Sequence, residues 1–84
     1  MKLKIKIANN IAVNFSAEFI SVTPLSENPG SGVIEFQLKD NGSTGLIQNA
    51  MECQIINKDN NRIRTVIQDI VHNKDSLTLK CLVN

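Results

Sequence analysis

Residues 60–72 read NNRIRTVIQDIVH, and this segment decides the fold because it fits two different secondary structures. As a helix it carries apolar side chains at the i, i+3, i+4, i+7 and i+8 positions of one face, after an asparagine placed as an N-cap. The cap is Asn60, and the apolar residues are Ile63, Val66, Ile67, Ile70 and Val71. With a second helix over residues 10–22, the chain would form a ferredoxin-like α+β fold with the order β-α-β-β-α-β.

The residue types in the same segment favour a strand instead. Asn, Thr, Ile and Val are mediocre helix formers, and these types dominate both segments in question. The difficulty with a strand is Asp69, which would face inward opposite Leu79, where an unpaired carboxylate is costly. A β-bulge near Gln68 would turn Asp69 outward. We therefore predict an all-β fold and keep the ferredoxin-like fold as the alternative.

The rest of the chain alternates apolar and polar residues with the period of two that is typical of strands with one wet face. At the N-terminus, Leu3, Ile5 and Ile7 alternate with three lysines. The other alternating apolar sets are Ile11, Val13, Phe15, Ala17 and Phe19; Ile34, Phe36 and Leu38; Met51, Cys53 and Ile55; and Leu77, Leu79, Cys81 and Val83. We expect about six antiparallel strands, in one domain spanning residues 1–84, as a small barrel or a two-layer sandwich.

Four tight turns connect these strands in the prediction. Three-residue loops are expected at residues 8–10, 58–60 and 73–75, with Asn10 in the left-handed conformation that asparagine tolerates. A two-residue turn is expected at Asn41 and Gly42, a favoured type I′ pair. Residues 23–32, rich in Pro and Gly, form a longer loop. The resulting registers set Phe36 opposite Ile47, Leu38 opposite Gly45, Ile55 opposite Ile63, Val71 opposite Leu77 and Val66 opposite Leu82.

Composition argues against an enzyme, a metal site and a cofactor. One His and two Cys in 84 residues cannot supply a four-ligand zinc site without carboxylates, and no nucleophile stands at a recognisable spacing from a base. Cys53 and Cys81 are expected to face inward on either side of one strand, as free buried thiols, because two strand spacings exceed the reach of a disulfide. With no long apolar stretch and no secretory signal pattern, the chain is expected in the cytoplasm, away from membranes.

Apolar side chains on the outer face of the predicted sheet indicate an interface. The four that define it are Ile56, Val66, Ile70 and Leu82, with Ile20 and Val22 at the far end of the second strand. Contiguous exposed apolar patches usually mark contacts with another chain. The leading prediction is a non-enzymatic interaction or assembly module, which binds a protein partner or forms a homo-oligomer through its C-terminal hairpins.

Basic residues on the same predicted outer surface give the alternative function. They are Lys2, Lys4, Lys6, Arg62, Arg64 and Lys80. Such a face would hold the phosphates of nucleic acid, as in other small β-barrels that bind it. This alternative is less favoured, because lysines on a terminal strand also serve to prevent edge-to-edge aggregation. The net charge of +1 supplies no strong attraction to nucleic acid by itself.

Overall fold

The computed structural model describes residues 1–24, 31–40 and 42–83, and shows a closed barrel of antiparallel strands in the order β1-β2-β3-β6-β5-β4. The strands are β1 (Lys2–Ala8), β2 (Ile11–Pro24), β3 (Gly32–Lys39), β4 (Glu52–Ile56), β5 (Arg62–His72) and β6 (Ser76–Val83). A single 3₁₀ turn, Thr44–Leu46, lies between β3 and β4. The predicted all-β class is confirmed, and the barrel is the architecture adopted.

The ambiguous segment is strand β5, so the ferredoxin-like alternative is wrong. β5 pairs with β4 through its first half and with β6 through its second half. In a helix the backbone N–H and C=O groups of this segment would bond to each other. In the strand they bond to the backbone groups of β4 and β6, which need these partners too. Closure of the barrel therefore depends on β5 being extended, which overrides the helical spacing of its apolar residues.

The core fills the inside of the barrel with one apolar set from every strand. Leu3 and Ile5 of β1 are fully buried, as are Leu79 and Cys81 of β6. The remaining buried apolar residues are Phe15, Ala17, Phe36, Leu38, Ile47, Cys53, Ile55, Ile67 and Leu77. Each large apolar side chain stabilises the fold by about 1.5–3 kcal/mol on burial. The odd and even alternation read from the sequence therefore identifies most of the core.

The β4–β5 turn forms as predicted, and in the β1–β2 turn Asn10 has the predicted left-handed conformation. Asn10 and Asn60 adopt positive φ angles of 65° and 61°. In the β4–β5 turn, the Asn57 side-chain oxygen accepts hydrogen bonds from the amides of Asp59 and Asn61, both at 2.9 Å. Ile55 lies opposite Ile63, as predicted. The β4–β5 hairpin therefore follows from its own local sequence.

The β1–β2 and β5–β6 hairpins each have a loop one residue shorter than predicted and a bulge that compensates. In the β5–β6 loop, the Asn73 amide donates a hydrogen bond to the Ser76 carbonyl at 2.9 Å, and His72 pairs with Leu77. Val71 therefore lies opposite Thr78, and its predicted pairing with Leu77 is wrong. The bulge at Gln68 then restores the predicted register, with Val66 opposite Leu82. The same combination of a short loop and a bulge occurs between Lys6 and Ala8 in β1.

The bulge at Gln68 also corrects the positions of two residues in β5. Asp69 lies opposite Lys80 and is exposed, so its carboxylate does not face the core as it would in a strand without the bulge. Ile70 lies opposite the fully buried Leu79 and packs against the core, so its predicted place on the outer face is wrong. One unpaired residue reverses the face of every residue that follows it until the strand ends.

The strand predicted after Gly42 does not form. β3 pairs with β2 and β6, so Phe36 lies opposite Phe19 and Leu79, and not opposite Ile47. Leu38 likewise lies opposite Ala17 and Leu77, and not opposite Gly45. The Thr44 hydroxyl donates to the Asp40 carboxylate, a local contact that competes with continuation of a hairpin. Asn41 and most of the predicted Pro- and Gly-rich loop, residues 25–30, lie outside the described residues.

Candidate functional site

Five basic side chains lie together on the outside of the barrel, because the short strand β4 lies between β1 and β5. Lys2 and Arg62 both pair with Ile56, and Lys4 and Arg64 both pair with Gln54. Lys6 continues the outward positions of β1, and Glu52 those of β4. We call these eight residues the cationic face: Lys2, Lys4, Lys6, Glu52, Gln54, Ile56, Arg62 and Arg64.

The geometry of the cationic face follows from strand spacing. Two strand separations place the lysines of β1 about 9.5 Å from the arginines of β5. Along each strand, side chains that share a face repeat about every 6.8 Å. The lysines therefore form one line along β1 and the arginines a second line along β5, with the shorter side chains of β4 between them.

The charge of the chain is concentrated on this face. It holds five of the nine basic residues of the chain and one of its eight acidic residues. Arg64 Nε lies 3.7 Å from Glu52 Oε1 in an exposed ion pair, a type that contributes little to stability. In residues 1–24, 31–40 and 42–83, none of the other four cations of the face has an acidic partner. These four charges are available to an anionic ligand.

Two shallow depressions cross the cationic face. One has a volume of about 370 Å³ and is lined by Lys4, Lys6, Glu52, Gln54 and Arg64 among others. The other, of about 590 Å³, lies toward Lys2 and Arg62 and includes Asn14 and Ser16 of β2. Both are open and mainly polar in their lining side chains, so they suit an extended charged ligand better than an enclosed apolar one.

Gln54 carries a polar atom without a partner. Its side-chain oxygen, Oε1, is buried from solvent, and no hydrogen bond to it occurs within the described part of the chain. Gln54 lies between Lys4 and Arg64 and lines the smaller depression. Buried acceptors are almost always hydrogen-bonded in folded proteins, so an unpaired one needs an explanation.

Aromatic side chains are absent from the cationic face. The chain has no Trp or Tyr, and of its three Phe residues Phe15 and Phe36 are buried in the core. Phe19 contacts Phe36 edge-to-face, with ring centroids 6.3 Å apart, on the side of the barrel formed by β2 and β3. Unpaired bases therefore have no stacking surface among the residues of this face.

Lys80, predicted as a sixth basic contact, lies apart from the others. It is on β6, between Glu35 on β3 and Asp69 on β5. Its Nζ lies 3.9 Å from Glu35 Oε1. With a carboxylate on each side, Lys80 belongs to a charge row on the opposite part of the barrel and does not extend the cationic face.

The predicted apolar interface is only partly assembled. Val66, which is 41% exposed, pairs with Leu82, and Leu82 pairs with Val33 of β3. We call Val33, Val66 and Leu82 the apolar row. Ile56 lies instead within the cationic face, and Ile70 faces the core. The two residues predicted at the end of β2 are both exposed but lie outside this row, Ile20 as the extra residue of a third bulge and Val22 opposite Ile34 of β3.

The buried cysteines are free thiols, as predicted, but they contact each other. The side chains of Cys53 and Cys81 are hydrogen-bonded across the barrel interior, although β5 separates their strands. This contact and burial raise the pKa of Cys53 far above its ordinary value. The same contact lowers the pKa of Cys81, but both side chains are fully buried and closed to reagents, so this pair is part of the core. Within the described ranges, no cluster of three or more His, Cys, Asp or Glu side chains is placed to hold a metal ion.

Two residues of the candidate surfaces could not be selected from the sequence. Gln54 and Val33 lie at outward positions of their strands, which the alternation of β3 and β4 indicates. Their importance depends on which strands lie beside them, and the order of strands around the barrel was not predicted. Position in the closed sheet, and not residue type, is what distinguishes them.

Comparisons with protein families, with curated proteins and with solved structures give no match to this chain. In the part of the chain that the structure describes, no helix has the length and apolar character needed to span a membrane. The surface geometry of the barrel is therefore the basis for inferring a function.

Proposed function

We propose that this protein is a non-enzymatic module that binds double-stranded nucleic acid through the phosphate backbone, using the cationic face. The observation that carries the proposal is the pair of rows Lys2–Ile56–Arg62 and Lys4–Gln54–Arg64 across β1, β4 and β5. Lysines and arginines in such rows match a ligand with regularly repeated negative charges. Neutralisation of its phosphates releases counterions, which supplies the free energy of binding.

The closed barrel weakens the competing explanation for the lysines of β1. Lysines on a strand at the edge of a sheet prevent unwanted pairing with another chain. β1 has no such edge over Lys2 to Ile5, because it pairs with β2 on one side and β4 on the other. Protection of an edge therefore does not account for Lys2 and Lys4, which supports a role for them in ligand binding.

The lack of aromatic residues on the face favours a duplex over a single strand. Proteins that bind single strands obtain much of their affinity by stacking bases on aromatic side chains. A duplex offers its phosphates without unstacked bases and has about one negative charge per 1.7 Å of helix axis. Contacts limited to phosphates carry no direct sequence information, so binding is expected to be independent of sequence.

The first prediction concerns the salt dependence of this binding. Fluorescence anisotropy with a labelled duplex of about 16 base pairs should show affinity that falls as salt rises, with a slope of log K against log salt of about −3 to −5. The variant Lys4→Gln/Arg64→Gln should weaken binding and reduce the magnitude of that slope by about 2. The matched control is Lys39→Gln/Lys74→Gln, which removes the same charge away from the face and should bind as the wild type does.

Two results would contradict the proposal. One is the absence of duplex binding by the folded protein at low salt, and the other is an equal loss of affinity in the two double variants. The second result would show that only net charge matters. Circular dichroism of each variant verifies that the barrel is retained.

A second function, self-association through the apolar row, is supported by the alignment of Val33, Leu82 and Val66 on three adjacent strands. The row is shorter than the interface expected from the sequence, because Ile70 packs inward and Ile56 lies elsewhere. A symmetric dimer that covers this row would use the same three residues of each copy.

The second prediction tests that association by analytical ultracentrifugation. Wild-type protein should form dimers at high concentration, and Val66→Glu/Leu82→Glu should be folded and monomeric because the charges cannot be desolvated in the contact. The control is Val71→Glu, since Val71 lies on the same strand with the same 41% exposure, opposite Thr78. A wild type that is monomeric at all concentrations would eliminate this second function.

The cellular setting that we propose is the cytoplasm. Its support is the pair of free cysteines, which agrees with a compartment that keeps thiols reduced. The absence of a catalytic role is likewise a proposal, and it is supported by the full burial of both thiols and by the open, shallow shape of the depressions.

A further inference from the structure

We propose that Gln54 makes the cationic face selective for double-stranded RNA over DNA, by accepting a hydrogen bond from a ribose 2′-hydroxyl. The inference rests on the proposed function, and it concerns which duplex that face binds. The observation that supports it differs from the one that supports the proposed function. It is the unpartnered side-chain oxygen of Gln54, which lies between Lys4 and Arg64.

The unpaired atom is an acceptor, so its partner must be a donor. The phosphate and sugar backbone of DNA has no hydrogen-bond donor, whereas each ribose of RNA carries a 2′-hydroxyl. A buried acceptor without a partner retains a desolvation penalty, which a ligand that supplies a donor removes. The chemistry of Gln54 therefore distinguishes two ligands that its charged neighbours treat alike.

Position within the face places that acceptor among the phosphate contacts. The side chains of Lys4 and Arg64 begin one strand spacing, about 4.8 Å, on each side of Gln54. Both are long, and Arg64 is 82% exposed in its side chain. When they extend to two phosphates, rotation of the half-buried Gln54 side chain brings its amide oxygen, which has no exposed surface in the unbound protein, to the sugars that those phosphates connect.

The shape of an RNA duplex agrees with this arrangement. A-form RNA has a wide and shallow minor groove that displays its 2′-hydroxyl groups next to the phosphates. The cationic face has open depressions and no projecting helix or loop on its strands, so it suits a shallow groove and cannot enter a deep one. Recognition of this kind depends on shape and backbone chemistry, in agreement with binding that ignores base sequence.

The third prediction compares three duplexes of one sequence by competition in fluorescence anisotropy: RNA, DNA, and RNA with 2′-O-methyl groups. Wild-type protein should bind the RNA about 3- to 10-fold more tightly than the other two, as expected for one hydrogen bond. The methyl group removes the donor and keeps the A-form geometry, so equal binding of RNA and methylated RNA would overturn the inference.

The variant Gln54→Leu keeps the shape of the side chain and removes the acceptor. It should bind RNA and 2′-O-methyl RNA alike, with an unchanged salt slope, because the acceptor is removed and no charge is lost. The matched control, Gln37→Leu, removes a glutamine from the outward side of β3, far from the cationic face, and should retain the preference for RNA. If Gln54→Leu still binds RNA more tightly than 2′-O-methyl RNA, the selectivity does not come from Gln54.

These outcomes separate the inference from the function that it deepens. Tight, salt-dependent binding of all three duplexes by the wild type without preference would overturn the role of Gln54 and leave the phosphate-binding function intact. No binding of any duplex at low salt would overturn both. Circular dichroism and thermal unfolding of Gln54→Leu verify that any change in preference comes from a folded barrel.

Discussion

At the scale of the residue, three side chains show how the surrounding structure changes the role or the pKa of a residue. Asp69 is a strand residue that would be costly inside the barrel, and a bulge turns it toward Lys80. Gln54 is an ordinary outward residue until the neighbouring strands place Lys4 and Arg64 beside it. Cys53 is an ordinary thiol until burial and the Cys81 contact raise its pKa.

The fourth prediction concerns the reactivity of the two thiols. Cys53 and Cys81 have no exposed surface, so a water-soluble thiol reagent should modify them only when the barrel opens. With a stability of at least about 5 kcal/mol, modification in native buffer should be about a thousandfold slower than in denaturant, or slower still. Absorbance of the released thiolate from an aromatic disulfide reagent measures both rates.

A third, exposed thiol provides the control for this experiment. Ser16→Cys places the same group on the outside of β2 with the smallest change in volume, because Ser16 is exposed. This thiol should react in native buffer at nearly the rate of the unfolded chain. If Cys53 or Cys81 reacts as fast as the introduced cysteine, the interior of the barrel is accessible and the assigned core is wrong.

At the scale of the element, the hairpins show that turn length and strand regularity compensate each other. Both the β1–β2 and β5–β6 loops are one residue shorter than the alternation predicts, and each has a bulge in an adjoining strand. The two departures cancel in the middle of each hairpin, where Leu3 faces Phe15 and Ile67 faces Cys81. The predicted registers are therefore confirmed there and wrong next to both loops.

The fifth prediction concerns the turn that leads into β4. Ala50 has a φ of 69°, a left-handed conformation that costs an alanine about 1–2 kcal/mol, and its amide donates to the Ile67 carbonyl at 2.8 Å. Ala50→Gly should therefore stabilise the protein by about 1 kcal/mol, after the entropy of glycine in the unfolded chain is included. The expected increase in Tm is about 4–8 °C.

An alanine in a regular strand is the control for the effect of glycine. Ala12 is exposed on β2 opposite Lys6, and Ala12→Gly should lower stability by about 0.5–1 kcal/mol. Chemical denaturation followed by circular dichroism measures both variants. A loss of stability in Ala50→Gly equal to that in Ala12→Gly would show that the turn is not left-handed at Ala50.

At the scale of the whole molecule, closure of the barrel is what creates the candidate surfaces. β4 lies between β1 and β5, so lysines from the N-terminal strand share a face with arginines more than fifty positions later in the chain. Closure also gives β1 a partner on each side, so protection of a sheet edge does not explain Lys2 and Lys4. The near-zero net charge conceals this separation of charge across the surface.

The sequence by itself determined the properties that depend on neighbours along the chain. These are the strand class, the inward side chains of most strands, the left-handed Asn10 and the turn after Asn57. The period of two and the turn preferences of asparagine are local, so they are readable without a structure. Ambiguity arose only at β5, where a helical spacing of apolar residues coexisted with β-branched composition.

Only the tertiary structure decided which strands are adjacent, and with it the composition of each surface. Strand order follows from how all six strands bury their apolar sides at once, and no local pattern encodes it. Five of the six predicted basic residues come together and Lys80 does not, while the apolar interface loses Ile70 to the core and Ile56 to the cationic face. Residues distant in the sequence become one surface only through the hydrogen bonds that close the barrel.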